Sequence, residues 1–210
     1  MEQSKSKAIE YHFERLFSRY PNLVTVKEEI RIAYDMIVET YRNNGKLLVC
    51  GNGGSASDSD HIVGELMKGF YKQRPLTPEQ AKLFGEQSAY LQGALPAISL
   101  TQHTALSTAF LNDVAADMVF AQQVFGYGNK TDTFIGISTS GNSKNVIQAA
   151  KVAKAKGLNV ITLTGRGGGK LREISDVCIV APAEITADIQ ELHLPIYHTL
   201  CAMIEESFFE

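Results

Sequence analysis

The spacing of apolar side chains divides the chain into helices and short buried segments. Over residues 6–43 apolar residues recur every three or four positions, the period of an amphipathic helix, with a break at Tyr20, Pro21 and Asn22. The same period predicts helices over about 56–71, 104–111, 117–127, 145–154 and 187–208, the last with a kink near Pro195. Residues 72–94 show no sustained period beyond a short helix near 80–87.

Short, continuously apolar runs lie between these helices and predict buried strands over 46–50, 95–100, 133–138, 158–164 and 177–180. Strands that alternate with helices at this spacing predict a parallel sheet with helices on both faces. We therefore predict an α/β fold, a flavodoxin-like three-layer α/β/α sandwich around a five-stranded parallel sheet. The chain is predicted to be a single domain, 1–210, in which the helices of 1–44 form an N-terminal extension suited to contacts with another subunit.

Composition narrows the functional classes. Hydrophobic residues make up 44% of the 210 residues and charged residues 20%, ordinary values for a soluble globular domain. A formal charge of −3 argues against general nucleic-acid binding, and no segment is long and apolar enough to span a membrane. Cys50, Cys178 and Cys201 are far apart in apolar runs, so we expect reduced thiols and a cytoplasmic protein.

The most informative segment is 138–143, which holds three serines, a threonine and one glycine between a predicted strand and a predicted helix. Unpaired backbone N–H groups at a helix start, together with serine hydroxyls, can bind a phosphate without a lysine. The alternative is that Ser140 or Ser143 only caps the helix. Two further loops, 51–55 and 164–169, follow predicted strands and so lie at the same sheet edge, although 164–169 could be a flexible connection.

Three motifs together resemble one family. The run from Gly51 to Ala56, the pair Asn112 and Asp113, and the loop 138–143 resemble sugar isomerase (SIS) domains, and within them the phosphoheptose isomerases. This resemblance implies a homotetramer with active sites at subunit contacts. It also implies interconversion of sedoheptulose 7-phosphate and D-glycero-D-manno-heptose 7-phosphate.

The resemblance also implies the site residues. Substrate contacts would come from the glycine loop, the serine loop and three other places: Asn52, Gly53, Gly54, Ser55, Glu65, Asn112, Asp113, Ser138, Thr139, Ser140, Ser143 and Gln190. Glu65 and His198 would transfer protons. One zinc ion per subunit would be held by His61, Glu65, Gln190 and His198, and no nucleotide cofactor is implied.

The chemistry of a ketose–aldose isomerase gives these residues roles. His61 and Glu65 are four positions apart on one predicted helix that starts at the glycine loop, so we expect both near the ligand edge of the sheet. Glu65 would move the carbon proton and His198 the oxygen protons. Spacing alone also allows a solvent-exposed His–Glu pair. Gln190 and His198, eight residues or about 12 Å apart on a straight helix, share a zinc ion only if neighbouring subunits contribute or the helix starts late.

Two departures from the family pattern leave other functions open. The segment 73–94 is longer than expected, and Asp188 stands where the motif usually has arginine. A different sugar phosphate is therefore one alternative. Another is a non-catalytic SIS adaptor that binds a replication initiator, against which the presence of both Glu65 and His198 argues.

Overall fold

A computed structural model describes residues 2–210 and places a five-stranded parallel sheet at the centre of the chain. The strands are β1 (Leu47–Cys50), β2 (Ala97–Ser99), β3 (Thr133–Ser138), β4 (Asn159–Thr164) and β5 (Val177–Val180), in the order β2-β1-β3-β4-β5. Every neighbouring pair is parallel. This is the strand order of flavodoxin-like doubly wound folds, so the predicted fold class is confirmed.

Helices cover both faces of the sheet. They are α1 (Glu2–Arg19), α2 (Lys27–Arg42), α3 (Gly54–Met67), α4 (Pro78–Phe84), α5 (Thr104–Asp113), α6 (Val119–Tyr127), α7 (Lys144–Lys156), α8 (Leu171–Ile174) and α9 (Thr186–Phe208). Short 3₁₀ turns occupy Pro21–Val26, Gly85–Ala89, Ala116–Met118 and Arg166–Gly168.

Several predicted boundaries differ from the structure for local reasons. The second strand is shorter than predicted, because Pro96 lacks an N–H to donate to the ladder. The helix after β1 begins at Gly54 and ends at Met67, four residues before the predicted end. Helix α9 is assigned as one helix through Pro195. Helix α8 was not predicted, since four residues are too few to show a helical period.

The alternation of strand side chains separates two cores. In β1, Leu47 and Val49 join a core with α1, α2, α3 and α9, whereas Leu48 and Cys50 join one with α6 and α7. Since successive strand residues point to opposite faces, each apolar strand serves both layers. Helix α9 packs against α1, α2 and α3 and therefore closes the first layer.

Among the described helices, none is long and apolar enough to cross a membrane. The three cysteines are free thiols, and burial raises the pKa of Cys201 to about 12. Such a thiol stays protonated and behaves as a small core side chain.

Candidate active site

Two loops meet where the strand order reverses between β1 and β3. Asn52 follows β1, and Asn145 lies in the first turn of α7 after β3. Their side-chain amides exchange two hydrogen bonds, of 2.9 and 2.8 Å. Ligands of doubly wound folds bind at this reversal, outside the carboxyl ends of the strands. The amide pair therefore fixes the two predicted substrate loops against each other.

The serine loop has hydroxyl protons to spare for a ligand. Ser143 stands at the N-cap of α7 but makes no side-chain capping bond; its hydroxyl pairs with that of Ser138 at 2.9 Å. Ser140 Oγ accepts from the N–H of Asn142 at 3.1 Å, which leaves its own proton free to donate. Neither serine is used as a side-chain cap of α7, so the capping explanation does not account for this loop.

The glycine-rich loop after β4 supports the serine loop by direct backbone packing. Gly141 has φ +64°, and a side chain there would place its Cβ 1.9 Å from the carbonyl oxygen of Gly168. The N–H of Leu171 donates to the Gly141 carbonyl at 3.0 Å. The segment 164–169 is thus packed against the serine loop rather than a loose connection.

Helices α3 and α9 pack side by side, and we call the line of contacts between them the α3–α9 seam. At its first end Gly54 leaves room for the Gln190 amide, whose Nε2 would lie 2.7 Å from an added Cβ. Two turns on, His61 faces Tyr197 and His198. Since seven residues of helix span about 10 Å, His61 lies well down α3 from the glycine loop.

Glu65 and His198 meet at His61 within a single chain. His61 Nε2 lies 3.1 Å from Glu65 Oε1 and 3.4 Å from His198 Nε2. The side chain of Glu65 is only 13% exposed and that of His61 is 42% exposed. The carboxylate is therefore not the solvent-exposed partner that the alternative interpretation of the His–Glu spacing required.

Tyr197 and Asp58 complete this cluster, and the sequence analysis missed both. The Tyr197 hydroxyl lies 3.0 Å from His61 Nδ1 and donates to Asp58 Oδ1 at 3.2 Å. Tyr197 directly precedes His198, and Asp58 lies one turn before His61, so both sit at helical distance from predicted site residues. That spacing was the available signal. Together the two residues hold the imidazole of His61 in one orientation.

Burial sets the protonation preferences around the cluster. Burial and, to a smaller extent, His61 lower the pKa of His198, while Glu65 opposes the shift. Burial raises the pKa of Asp58, with Tyr197 opposing. A lowered pKa keeps His198 neutral at pH 7, the state in which one ring nitrogen accepts a proton and the other donates one.

A cavity of about 160 Å³ between α1 and α9 opens beside His198. Its wall includes His12, Arg15 and Arg19, three basic groups on α1. Burial lowers the pKa of His12; Glu206 opposes this shift and Arg15 adds to it. The α1 side of this cavity therefore carries two charged guanidinium groups and an imidazole whose lowered pKa favours its neutral form.

The predicted zinc ligands are not assembled as a set. Among residues 2–210, no group of three or more His, Cys, Asp and Glu side chains is arranged to hold a metal ion. His61, Glu65 and His198 lie close together but bond to one another, and the Gln190 amide lies against Gly54 instead.

Two predicted substrate contacts, Asn112 and Asp113, lie away from the loops at the sheet edge and from the cluster of His61, Glu65 and His198. Asn112 and Asp113 are exposed in the last turn of α5 and bond to each other at 2.8 Å. Within residues 2–210, no hydrogen bond joins their side chains to the other predicted site residues. Ser55 is buried at the start of α3, and Asp188 is exposed at the start of α9.

The comparisons with known proteins agree on one family. The SIS domain family matches residues 13–165. A phosphoheptose isomerase of Helicobacter pylori (strain P12) is 41% identical over 187 residues, covering 89% of this chain and 88% of the relative. A phosphoheptose isomerase of a Nitratiruptor species is 40% identical over 202 residues, covering 94% of this chain and 98% of the relative.

A solved structure extends this likeness to the fold. The phosphoheptose isomerase of Neisseria gonorrhoeae is 34% identical and superimposes with a TM-score of 0.74, covering 98% of this chain and 99% of that one. Identity of about 40% over nearly the whole of both chains is far above what a shared fold alone produces. The chain therefore belongs to the SIS domain family and, within it, to the phosphoheptose isomerases.

Proposed function

We propose that this protein is a ketose–aldose isomerase that interconverts sedoheptulose 7-phosphate and D-glycero-D-manno-heptose 7-phosphate. The observation that carries the proposal is the meeting of Glu65 and His198 at His61, although the two residues are far apart in sequence. An isomerase needs one group for a carbon proton and another for the oxygen protons, and a carboxylate beside a neutral imidazole supplies both.

The proton transfers can be assigned to atoms. The Glu65 carboxylate takes the proton from C1 of the ketose as His198 donates a proton to the C2 carbonyl oxygen, which gives an enediol. Glu65 then returns its proton to C2 while His198 takes the proton of the C1 hydroxyl, which yields the aldose. Each group ends as it began, so no other reactant is consumed.

The phosphate end of the substrate is assigned to the serine loop. Ser140 has a free hydroxyl proton, and the backbone N–H groups at the start of α7 favour an anion. Seven residues of α3 separate the glycine loop from His61, about 10 Å along the helix axis. A long open-chain substrate suits this arrangement, because its phosphate and its C1–C2 end lie at opposite ends of the carbon chain.

The direct test is incubation with sedoheptulose 7-phosphate, followed by NMR detection of the aldose. Parallel samples with a pentose, a hexose and an amino-sugar phosphate test the choice of substrate, since Asp188 replaces an expected cation. We expect the heptulose to be converted fastest. Faster conversion of another sugar phosphate would assign the site to that substrate instead.

We extend the proposal to a homotetramer in the cytoplasm. Large apolar side chains are exposed on two faces, with Tyr11, Val24 and Ile32 on the N-terminal helices and Leu111, Val114 and Phe125 near α5 and α6. Contacts between chains would cover them. Light scattering should give about four times the 23.0 kDa chain mass, and a monomer would contradict the proposal. The free thiols suit a reducing compartment.

We propose separately that each chain binds one zinc ion. The proposal rests on the family resemblance and on ligand chemistry, since histidine and carboxylate side chains are ordinary zinc ligands; His61, Glu65 and His198 bond to one another here and would have to turn towards the ion. Metal analysis of protein purified without chelator should find one zinc ion per chain, and less in His61→Ala. Equal metal content in both proteins would place the ion elsewhere.

A further inference from the structure

We propose that Arg74 is a positioning residue, which holds the turn of α3 that carries Glu65 in fixed register against the helix that carries His198. The inference rests on the proposed function, because it concerns the geometry of the same proton-transfer pair. The juxtaposition behind it is a fully buried ion pair between Arg74 and Glu205, at the far end of the α3–α9 seam.

Arg74 binds the backbone of the Glu65 turn directly. Its guanidinium donates to the carbonyl of Leu66 at 2.7 Å and to the carbonyl of Glu65 at 3.0 Å. Helix α3 ends at Met67, so these carbonyls belong to the last turn, where no intrahelical N–H is left to pair with them. The Leu66 carbonyl also accepts the N–H of Leu95 at 3.0 Å, so Arg74 shares that carbonyl and holds the Glu65 carbonyl directly.

We call Arg74, Glu205 and the backbone groups that they bind the Arg74 clamp. Its other end is on α9. The third guanidinium bond goes from Arg74 Nε to Glu205 Oε1 at 2.8 Å. The Glu205 carboxylate also accepts backbone N–H bonds of 2.8, 2.8 and 3.1 Å from Phe70, Tyr71 and Lys72. Glu205 lies seven residues after His198, two helical turns along nearly the same face. One carboxylate therefore ties the segment after Glu65 to the helix of His198.

The charge and shape of the pair suit positioning better than they suit stability. Burying two charges costs about as much as their attraction returns, and apolar side chains of similar volume often stabilise a core equally well. A guanidinium adds direction, since its donors form a rigid planar fork. In Arg74 this fork joins three acceptors on two helices, and Phe209 stacks on its face at 4.5 Å.

The long segment 73–94 is built onto this clamp without disturbing it. The segment leaves the core after Arg74 and returns at Gly93, whose N–H donates to the Arg74 carbonyl at 2.7 Å. Between these points α4 and the following turn carry exposed Leu83, Phe84, Tyr90 and Leu91. Because the excursion starts and ends at one place, its extra length does not alter the position of Glu65.

The test substitution removes the planar guanidinium group of Arg74 and keeps its positive charge. In Arg74→Lys an ammonium can reach Glu205 or the helix carbonyls but cannot span all three acceptors. We expect kcat for the isomerisation to fall at least about tenfold with KM within about twofold, because the substrate contacts are untouched and the carboxylate is displaced. Amide hydrogen exchange should accelerate in 61–72 and stay unchanged in the sheet. Glu205→Gln presents an amide to the same donors, and we expect the same changes in kcat and in hydrogen exchange. This variant provides the test if Arg74→Lys does not fold.

Asp132→Asn is the matched control. Asp132 is equally buried, pairs with Lys46 at 2.6 Å and accepts the N–H groups of Lys46 and Asn129, at the amino-terminal ends of β1 and β3 and away from the substrate loops. Its loss should lower stability and leave kcat of the folded protein unchanged. If kcat in Arg74→Lys stays within about twofold of wild type, or if Asp132→Asn loses as much, the positioning role is refuted.

The two proposals fail in different ways. If the wild-type protein isomerises sugar phosphates and Arg74→Lys does too, only the positioning role is lost. If the wild-type protein turns over no sugar phosphate, the proposed function is lost. In that case the exchange rates of 61–72 still decide whether Arg74 holds the Glu65 turn.

Discussion

Individual side chains in the cluster differ in burial and in their neighbours. His198 is kept neutral at pH 7 by burial and by its neighbour His61, which lower its pKa, so its ring can relay a proton between two oxygens. Glu65, largely buried and joined to His61, can take a proton from carbon. The proposed division of labour between one carboxylate and one imidazole rests on these surroundings.

The serine loop gives a prediction at this scale. Replacing Ser140 by alanine removes a hydroxyl whose proton has no partner within the loop. A hydrogen bond to a charged group contributes about 1.5–3 kcal/mol, so KM for the sugar phosphate should rise at least tenfold while kcat changes little. Steady-state kinetics checks this, with Ser88→Ala in the exposed segment after α4 as the control. An unchanged KM would place the phosphate elsewhere.

His193 gives a second prediction, on stability. It is buried, its Nε2 donates to the Thr164 carbonyl at 3.0 Å, and its Nδ1 has no partner in the described chain. Burial lowers its pKa to about 4 from 6.5. Between these pH values His193 is protonated in the unfolded chain but neutral in the folded protein. The free energy of unfolding therefore falls as the pH drops from above 6.5 towards 4.

The measurement is urea unfolding at pH 7 and pH 5. Between these values His193 should account for about 2 kcal/mol of lost stability. His193→Gln can keep the bond to Thr164 through its amide but does not titrate, so its unfolding free energy should fall by correspondingly less. Equal losses in both proteins would show that His193 does not titrate as its burial requires.

Two close contacts between secondary-structure elements position the site. Along the α3–α9 seam, glycine at position 54 admits Gln190, and the Arg74–Glu205 pair fixes the other end. At the sheet edge, the glycines of the loop after β4 pack against the serine loop. Close packing accounts for Gly54 and Gly141, whereas Gly53 and Gly167 have free space but a positive φ that favours glycine.

Gly141→Ala tests the second contact. An added Cβ would meet the Gly168 carbonyl, and the φ of +64° disfavours any other residue. We expect a loss of about 2–4 kcal/mol in unfolding free energy, together with a raised KM. In Gly126→Ala, within α6 and with no atom near its Cβ, stability should rise by up to about 1 kcal/mol. Similar effects of both substitutions would mean that the loops are not tightly packed.

At the scale of the whole molecule, the sequence predicted what depends on local pattern. Apolar periodicity gave the alternation of strands and helices and hence the parallel sheet, and the loops after β1 and β3 were identified by their residue types. Which residues meet across the fold was not predictable in the same way. Tyr197 binds Asp58 and Arg74 binds Glu205, and in each pair the two residues are more than a hundred positions apart.

The position of His61 shows the same limit. The four-residue spacing correctly placed His61 and Glu65 on one face of α3. It did not show at which point along α3 that face meets α9. That distance depends on the packing of two helices against the sheet. For the same reason the assembly of four zinc ligands could not be judged from spacing within α9 alone.

The central claim is that Glu65 moves the carbon proton of a sugar phosphate. Its most direct test is proton NMR of sedoheptulose 7-phosphate incubated with the protein in deuterated water. Wild type and Glu28→Gln, a control on the exposed side of α2, should exchange the C1 proton and form the aldose. Glu65→Gln should lose both by at least about a hundredfold while its fold and mass stay unchanged. Exchange by Glu65→Gln at a rate near that of wild type would contradict the account.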